Sequence, residues 1–146
     1  MDRKIATANR WSKIVIGAAI EVHRLKGSGL LESIYENCLA RELELREVPA
    51  VRQLQIHIEY KGITFAEFLR LDFYVDDCLL LELKAVEKIL PIHKAQLFSY
   101  MKLLNAPIGL LINFHEITLK DGIHRLILPG TRTRCSSTCA ETEESA

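Results

Sequence analysis

The segment Arg70-Leu71-Asp72-Phe73-Tyr74-Val75-Asp76-Asp77-Cys78-Leu79-Leu80-Leu81-Glu82-Leu83-Lys84 holds the densest chemistry in the chain. Glu82 and Lys84 are two apart in a strand pattern, so they share a face. Asp76-Asp77 reads as a turn that folds the preceding strand back on them. A three-residue loop or a bulge there sets Asp72 opposite Glu82, whereas a two-residue turn sets it opposite Leu81. Both registers stay open. In the first, two carboxylates and one ammonium converge among apolar neighbours. Hard oxygen donors of this kind suit Mg²⁺ or Mn²⁺, and the backbone carbonyl of Leu83 is a further oxygen at the same place. A lysine beside such an ion orients or helps deprotonate an attacking water, or offsets charge in a phosphoryl transition state.

The same spacing also describes a Glu–Lys pair on a solvated strand face. Its setting favours chemistry, because Glu82 and Lys84 interrupt a run of leucines where unpaired charge is expensive. Arg70 is a candidate phosphate contact. His23 is either a favourable group at a helix C-terminus or a group facing phosphate. Arg10, Lys13, Arg24 and Lys26 make a charged outer helix face or a local basic rim for nucleic acid. Glu32, Tyr35 and Glu36 share a helix face. Glu32 is a helix-start stabiliser through the macrodipole or a site residue, and Tyr35 is a packed helix tyrosine or a substrate contact. His57 and His93 read as surface residues, and His115 and His124 lack ligand spacing.

The elements that position these groups follow from hydrophobic period. Trp11, Ile14, Val15, Ala18, Val22 and Leu25 give a first helix. Gly27-Ser28-Gly29 interrupts it, and Ser28 is the expected cap of a second helix carrying Leu31, Ile34, Tyr35, Cys38 and Leu45. Strands are expected over 51–60, 68–75 and 78–86, with Lys61-Gly62 as a turn. Leu79-Leu80-Leu81 suggests a strand covered on both faces. Pro91 opens a third helix that Asn105 and Pro107 stop near Leu104. Strands follow over 108–114 and 124–128, with Asp121-Gly122 as the hairpin turn between them. Hairpins followed by a crossover helix imply an α/β fold, a mixed central β-sheet flanked by α-helices.

The chain has 146 residues, 49% of them hydrophobic and 26% charged, which excludes a disordered or fibrous protein. The expected organisation is one domain over 1–130 and a disordered polar tail over 131–146. Lysine plus arginine balance aspartate plus glutamate at 19 each. That balance argues against broad electrostatic wrapping of nucleic acid, but not against a local basic patch. No apolar run reaches the roughly 18 residues of a membrane span. The start lacks a signal-peptide pattern, so a cytoplasmic location is expected. Cys38, Cys78, Cys135 and Cys139 lack zinc spacing and read as reduced thiols, with a metal-binding or oxidised tail pair as the alternative.

Gly29-Leu30-Leu31-Glu32-Ser33-Ile34-Tyr35 resembles the motif of the GxxExxY proteins, a family of the PD-(D/E)XK nuclease superfamily. The same family is resembled by Glu21-Val22-His23, Tyr60-Lys61-Gly62, Arg70-Leu71-Asp72, Glu82-Leu83-Lys84-Ala85-Val86-Glu87-Lys88, His93-Lys94-Ala95-Gln96-Leu97 and Leu110-Leu111-Ile112-Asn113-Phe114. The resemblance spans residues 8–128. It implies a restriction-endonuclease-like core with a four-stranded mixed sheet and a Mg²⁺-dependent phosphodiester-cleaving site. Asp72 and Glu82 would bind the metal and Lys84 would assist the water. Gln96 and Tyr100 match the Gln-x-x-x-Tyr element of the exonuclease-like branch. Glu32 matches an acidic residue on the first core helix that touches metal directly or through water. The glycine loop departs from the more common Gly-Pro-Gly, and Leu71 stands where a small residue is usual.

Three function classes follow. The first is a metal-dependent nuclease, acting on DNA in preference to RNA. The second is a catalytically weak or inactive module of the same fold that binds nucleic acid or a protein. The third is a homodimer joined through an apolar helix face or edge strand.

Overall fold

The computed structural model describes residues 2–130. The expected tail, with Cys135 and Cys139, lies outside the described residues. The helix α1 (Asp2–Lys26) is followed by α2 (Glu32–Leu45), then strands β1 (Ala50–Tyr60), β2 (Ile63–Val75) and β3 (Leu79–Lys84). Next come α3 (Pro91–Leu104), β4 (Ile108–Asn113), a 3-10 turn at Leu119–Gly122 and β5 (Ile123–Ile127). The five strands lie in sequence order in one sheet. β3 and β4 are parallel, joined through α3, and the other neighbours are antiparallel. This is the expected mixed α/β sheet, and it has the five strands expected from the hydrophobic pattern.

The centre of the sheet, β3 and β4, is buried on both sides. Leu79, Leu81, Leu83, Ile108, Leu110 and Ile112 face α1 and α2, where Val15, Ala18, Ala19, Val22, Tyr35 and Leu39 meet them. The alternate residues Leu80 and Leu111 face α3, against Leu97, Phe98, Tyr100 and Met101. The two-residue period of a strand therefore explains the continuous leucine run: each side has its own helix to bury against. β4 meets α3 closely. A Cβ on Gly109 would lie 2.8 Å from the Met101 sulfur and 3.2 Å from Leu97.

Four local outcomes differ from the expectations. Ser28 does not cap α2. The helix begins at Glu32, with Leu31 extended in the cap position and no side-chain cap bond. Ser28 is too far upstream to reach the first-turn amides, and the Tyr35 hydroxyl ties down the loop instead. It donates to the Gly27 carbonyl at 2.6 Å and accepts from the Leu30 amide at 3.1 Å. Gly27 itself ends α1 with φ 73°, its amide donating to the His23 carbonyl.

β3 stops at Lys84 rather than Val86. The buried Asn113 side chain takes both backbone groups of Val86, accepting its N–H at 3.1 Å and donating to its carbonyl at 2.9 Å. Asp121-Gly122 closes a 3-10 turn rather than a two-residue hairpin.

β2 begins at Ile63, well before Phe68, and its outer half is exposed. Within β2, Phe73, Tyr74 and Val75 are the residues that pair with β3. The outer parts of β1 and β2 therefore extend past β3 as a two-stranded ribbon.

Candidate active site

The loop Asp76-Asp77-Cys78 sets the geometry of the site. Asp76 and Asp77 take φ 47° and 54°, a left-handed conformation that aspartate tolerates better than most residues. Val75 then faces Leu79, Tyr74 faces Leu80 and Phe73 faces Leu81. The next position in this register sets Asp72 opposite Glu82, so the three-residue loop decides between the two registers left open by sequence.

There the backbone ladder gives way to side chains. The Leu83 amide donates to Asp72 Oδ2 at 2.7 Å, and the Asp72 amide donates to Glu82 Oε1 at 3.3 Å. Each carboxylate thus accepts from the opposite strand's backbone. The carboxyls also share a hydrogen bond with each other. Glu82 is buried, and burial together with the Asp72 charge pushes its carboxyl up to about 9. Burial also raises Asp72, opposed by the Leu83 amide. Lys84 supplies the positive charge that lowers Asp72, Glu82 and Glu32.

α2 brings Glu32 to the same group. Glu32 is exposed, but partial desolvation of its carboxyl and the Asp72 charge raise it. Tyr100 on α3 is buried, and burial with the charges of Glu82 and Asp72 raises its hydroxyl. Gln96 lies one helical turn earlier on the same face and is exposed.

The remaining sequence candidates stand further off. Arg70 is exposed on the ribbon, its guanidinium 5.9 Å from the Phe68 ring centre. Tyr35 is fully buried and stacks on Phe114 at 4.6 Å. His23 is buried too, its Nε2 2.8 Å from the Glu116 carbonyl. These two side chains lie behind the site, joining the loop before α2 to the segment after β4.

Two neighbours had no assigned role in the sequence. Glu36 accepts from Arg52 Nε at 2.9 Å and from Gln53 Nε2 at 2.5 Å, and its charge acts on Asp72. Its four-residue spacing from Glu32 was the available signal. Gln53 has φ 56° inside a strand, at the position facing Asp72 in the β1–β2 register. No sequence pattern marks it. At this point β2 changes sides: Leu71 packs with the α3 cluster, whereas Phe73 packs with the α1–α2 cluster.

Among the described residues, no three His, Cys, Asp or Glu side chains converge as a ready metal cage. The donors that do meet, Asp72 and Glu82, are hard oxygens whose mutual repulsion is relieved only by a proton or a cation. This donor set fits Mg²⁺ or Mn²⁺ in kind. No helix among the described residues is long and apolar enough to cross a membrane.

No curated protein and no solved structure matches the chain. The family model of the PD-(D/E)XK nuclease superfamily matches residues 9–126. That span contains the sheet core, Glu32, the Asp72–Glu82–Lys84 group and Tyr100, and the chain belongs to the PD-(D/E)XK nuclease superfamily.

Proposed function

We propose that this member of the superfamily is a divalent-metal-dependent nuclease of the GxxExxY type, hydrolysing phosphodiester bonds of nucleic acid, DNA ahead of RNA. The observation that carries this reading is the reciprocal pairing of Asp72 and Glu82 with backbone amides, beside Lys84. Asp72 and Glu82 hold the ion through carboxylate oxygens. Glu32 and the Leu83 carbonyl are further oxygens for it. The Leu83 amide points at Asp72, and in an extended strand the carbonyl of the same residue points to the same side. When bound, Mg²⁺ or Mn²⁺ supplies positive charge and Lewis-acid polarisation of a phosphate oxygen.

The remaining work falls to the chain's own groups. Lys84 hydrogen-bonds the attacking water and offsets the charge that grows on the phosphate. Tyr100, kept protonated by its surroundings, donates a hydrogen bond towards the reacting group. Gln96 binds substrate at the mouth of the site, and Arg70 meets the backbone. Tyr35 and His23 contribute from behind, holding the loop that presents Glu32. The free thiols of Cys38 and Cys78 fit a cytoplasmic protein.

The test is a cleavage screen over single- and double-stranded DNA and RNA with Mg²⁺ or Mn²⁺, beside Lys84→Ala and Asp72→Ala. Cleavage should require the ion and fall by about a hundredfold or more in Lys84→Ala at an unchanged melting temperature. Calorimetry should show Mn²⁺ binding that Asp72→Ala removes. Cleavage that survives Lys84→Ala without metal would refute this reading. Nucleic-acid binding with neither Mn²⁺ binding nor cleavage would point to a binding module.

A further inference from the structure

The β1–β2 ribbon has two unlike faces. One carries Leu54, Ile56, Leu69 and Leu71, which join the α3 side of the core. The other carries Gln55 opposite Arg70 and His57 opposite Phe68. All four of these are exposed, Phe68 by 40%. The rings of His57 and Phe68 lie 5.7 Å apart, and the Arg70 guanidinium lies 5.9 Å from the Phe68 ring centre. None of the four is acidic. Asp72 follows Arg70 by two residues along β2, at the point where the strand changes sides.

We infer that this face of the ribbon is the track along which a single nucleic-acid strand with unpaired bases approaches Asp72. The inference rests on the proposed nuclease reading and adds the form of its substrate. A phenylalanine ring offered to solvent beside a guanidinium matches an unpaired base next to its phosphate: the ring takes the base face and Arg70 the backbone charge. Gln55 and His57 add hydrogen-bonding groups beside them. Stacking on Phe68 requires a base free of its partner, which a closed duplex does not offer. Continuity decides the occupant. Arg70 precedes Asp72 by two residues on β2, about 7 Å along an extended strand, so a chain held at Phe68 and Arg70 brings its next phosphate to the carboxylate pair.

The test is fluorescence anisotropy with a labelled single-stranded oligonucleotide and its duplex, with Ca²⁺ in place of Mg²⁺. The proteins are the wild type, Phe68→Ala, Phe68→Leu, Phe68→Trp, Arg70→Ala and, as a control at the ribbon tip, Ile63→Ala. The single strand should bind more tightly than the duplex. Phe68→Ala and Phe68→Leu should each weaken it about tenfold, and Phe68→Trp should stay within about twofold of the wild type. Arg70→Ala should lower the slope of log affinity against log salt by about 0.7. Ile63→Ala should bind as the wild type does.

Wild-type binding by both Phe68→Ala and Arg70→Ala, or a preference for duplex, overturns the inference. So does full rescue by leucine, which would mark an apolar contact with a protein instead. This binding pattern without metal-dependent cleavage leaves the track in place and removes the nuclease. Cleavage with an unchanged KM in Phe68→Ala does the reverse.

Discussion

Asp72 and Glu82 each accept a hydrogen bond from the other strand's backbone, the Leu83 amide reaching Asp72 at 2.7 Å and the Asp72 amide reaching Glu82 at 3.3 Å. Two acidic side chains thereby occupy a place that a regular ladder gives to carbonyls. The exchange fixes both carboxylates on rigid strands and leaves them face to face. Their repulsion is balanced in part by Lys84 and otherwise by a shared proton.

That proton gives metal-free stability a pH dependence of definite sign. The folded Glu82 carboxyl is held up to about 9, far above the value of about 4.3 in an unfolded chain. Between these values the native state keeps a proton that the unfolded state has lost. The contribution is therefore complete below the unfolded value and is lost as pH rises towards the folded one. Asp72, also raised, acts in the same direction. Urea midpoints in chelator at about pH 5, 7 and 9 should fall with pH, and Glu82→Gln should flatten the trend. Equal slopes in the two proteins would contradict the shared proton.

Tyr35→Phe tests the loop before α2. Stacking on Phe114 is kept, while the bonds to Gly27 and Leu30 are lost. The expected cost is about 1–2 kcal/mol in urea denaturation. The Leu30 amide should exchange faster with solvent, and Mn²⁺ affinity should fall modestly because Glu32 is held less firmly.

Gln53 sits at φ 56° facing Asp72, its side chain bonded to Glu36. Glycine accepts that backbone conformation freely, and a β-branched residue does not. Gln53→Gly should be near neutral, strain relief offsetting the lost bond. Gln53→Val should cost about 2 kcal/mol or drive the strand straight. In the second case the Leu83 amide resonance moves, because Asp72 moves with the strand. A valine variant with wild-type stability and an unshifted Leu83 amide would show that the kink has no bearing on the site.

Gly109→Ala places a methyl group 2.8 Å from the Met101 sulfur and 3.2 Å from Leu97. Overpacking of this kind costs about 1–3 kcal/mol. The relief available is a displacement of α3, which carries Gln96 and Tyr100. Thermal melting should register the loss. Where the protein remains folded, cleavage should fall further than Mn²⁺ binding, since Asp72 and Glu82 lie on other elements.

The legible part of the molecule was set by period and by punctuation. Alternating and three-four spacings separated strands from helices, and Pro91, Asn105 and Gly27 marked helix ends whose backbone needs are local. Two-residue spacing alone puts Glu82 and Lys84 on one face. Ser28 carries a generic capping chemistry that the fold does not use, and a tyrosine hydroxyl from the following helix takes the loop's groups instead. The register of Asp72 was beyond reach for a different reason. It depends on whether Asp76-Asp77-Cys78 closes as a three-residue loop, a choice made by the strands it joins.

By itself the sequence determined the mixed sheet, the leucine-lined strand and the residue types of the site, since these rest on short-range periodicity and on chemistry carried by single side chains. Tertiary structure alone decided which of those groups meet. It brought Glu32 and Tyr100 to Asp72 and Glu82 from helices on opposite sides of the sheet. It buried Tyr35 and His23 behind them, and it bent the strand at Gln53. Such outcomes depend on the burial of apolar faces contributed by segments far apart in the chain, and no local spacing encodes how those faces pack.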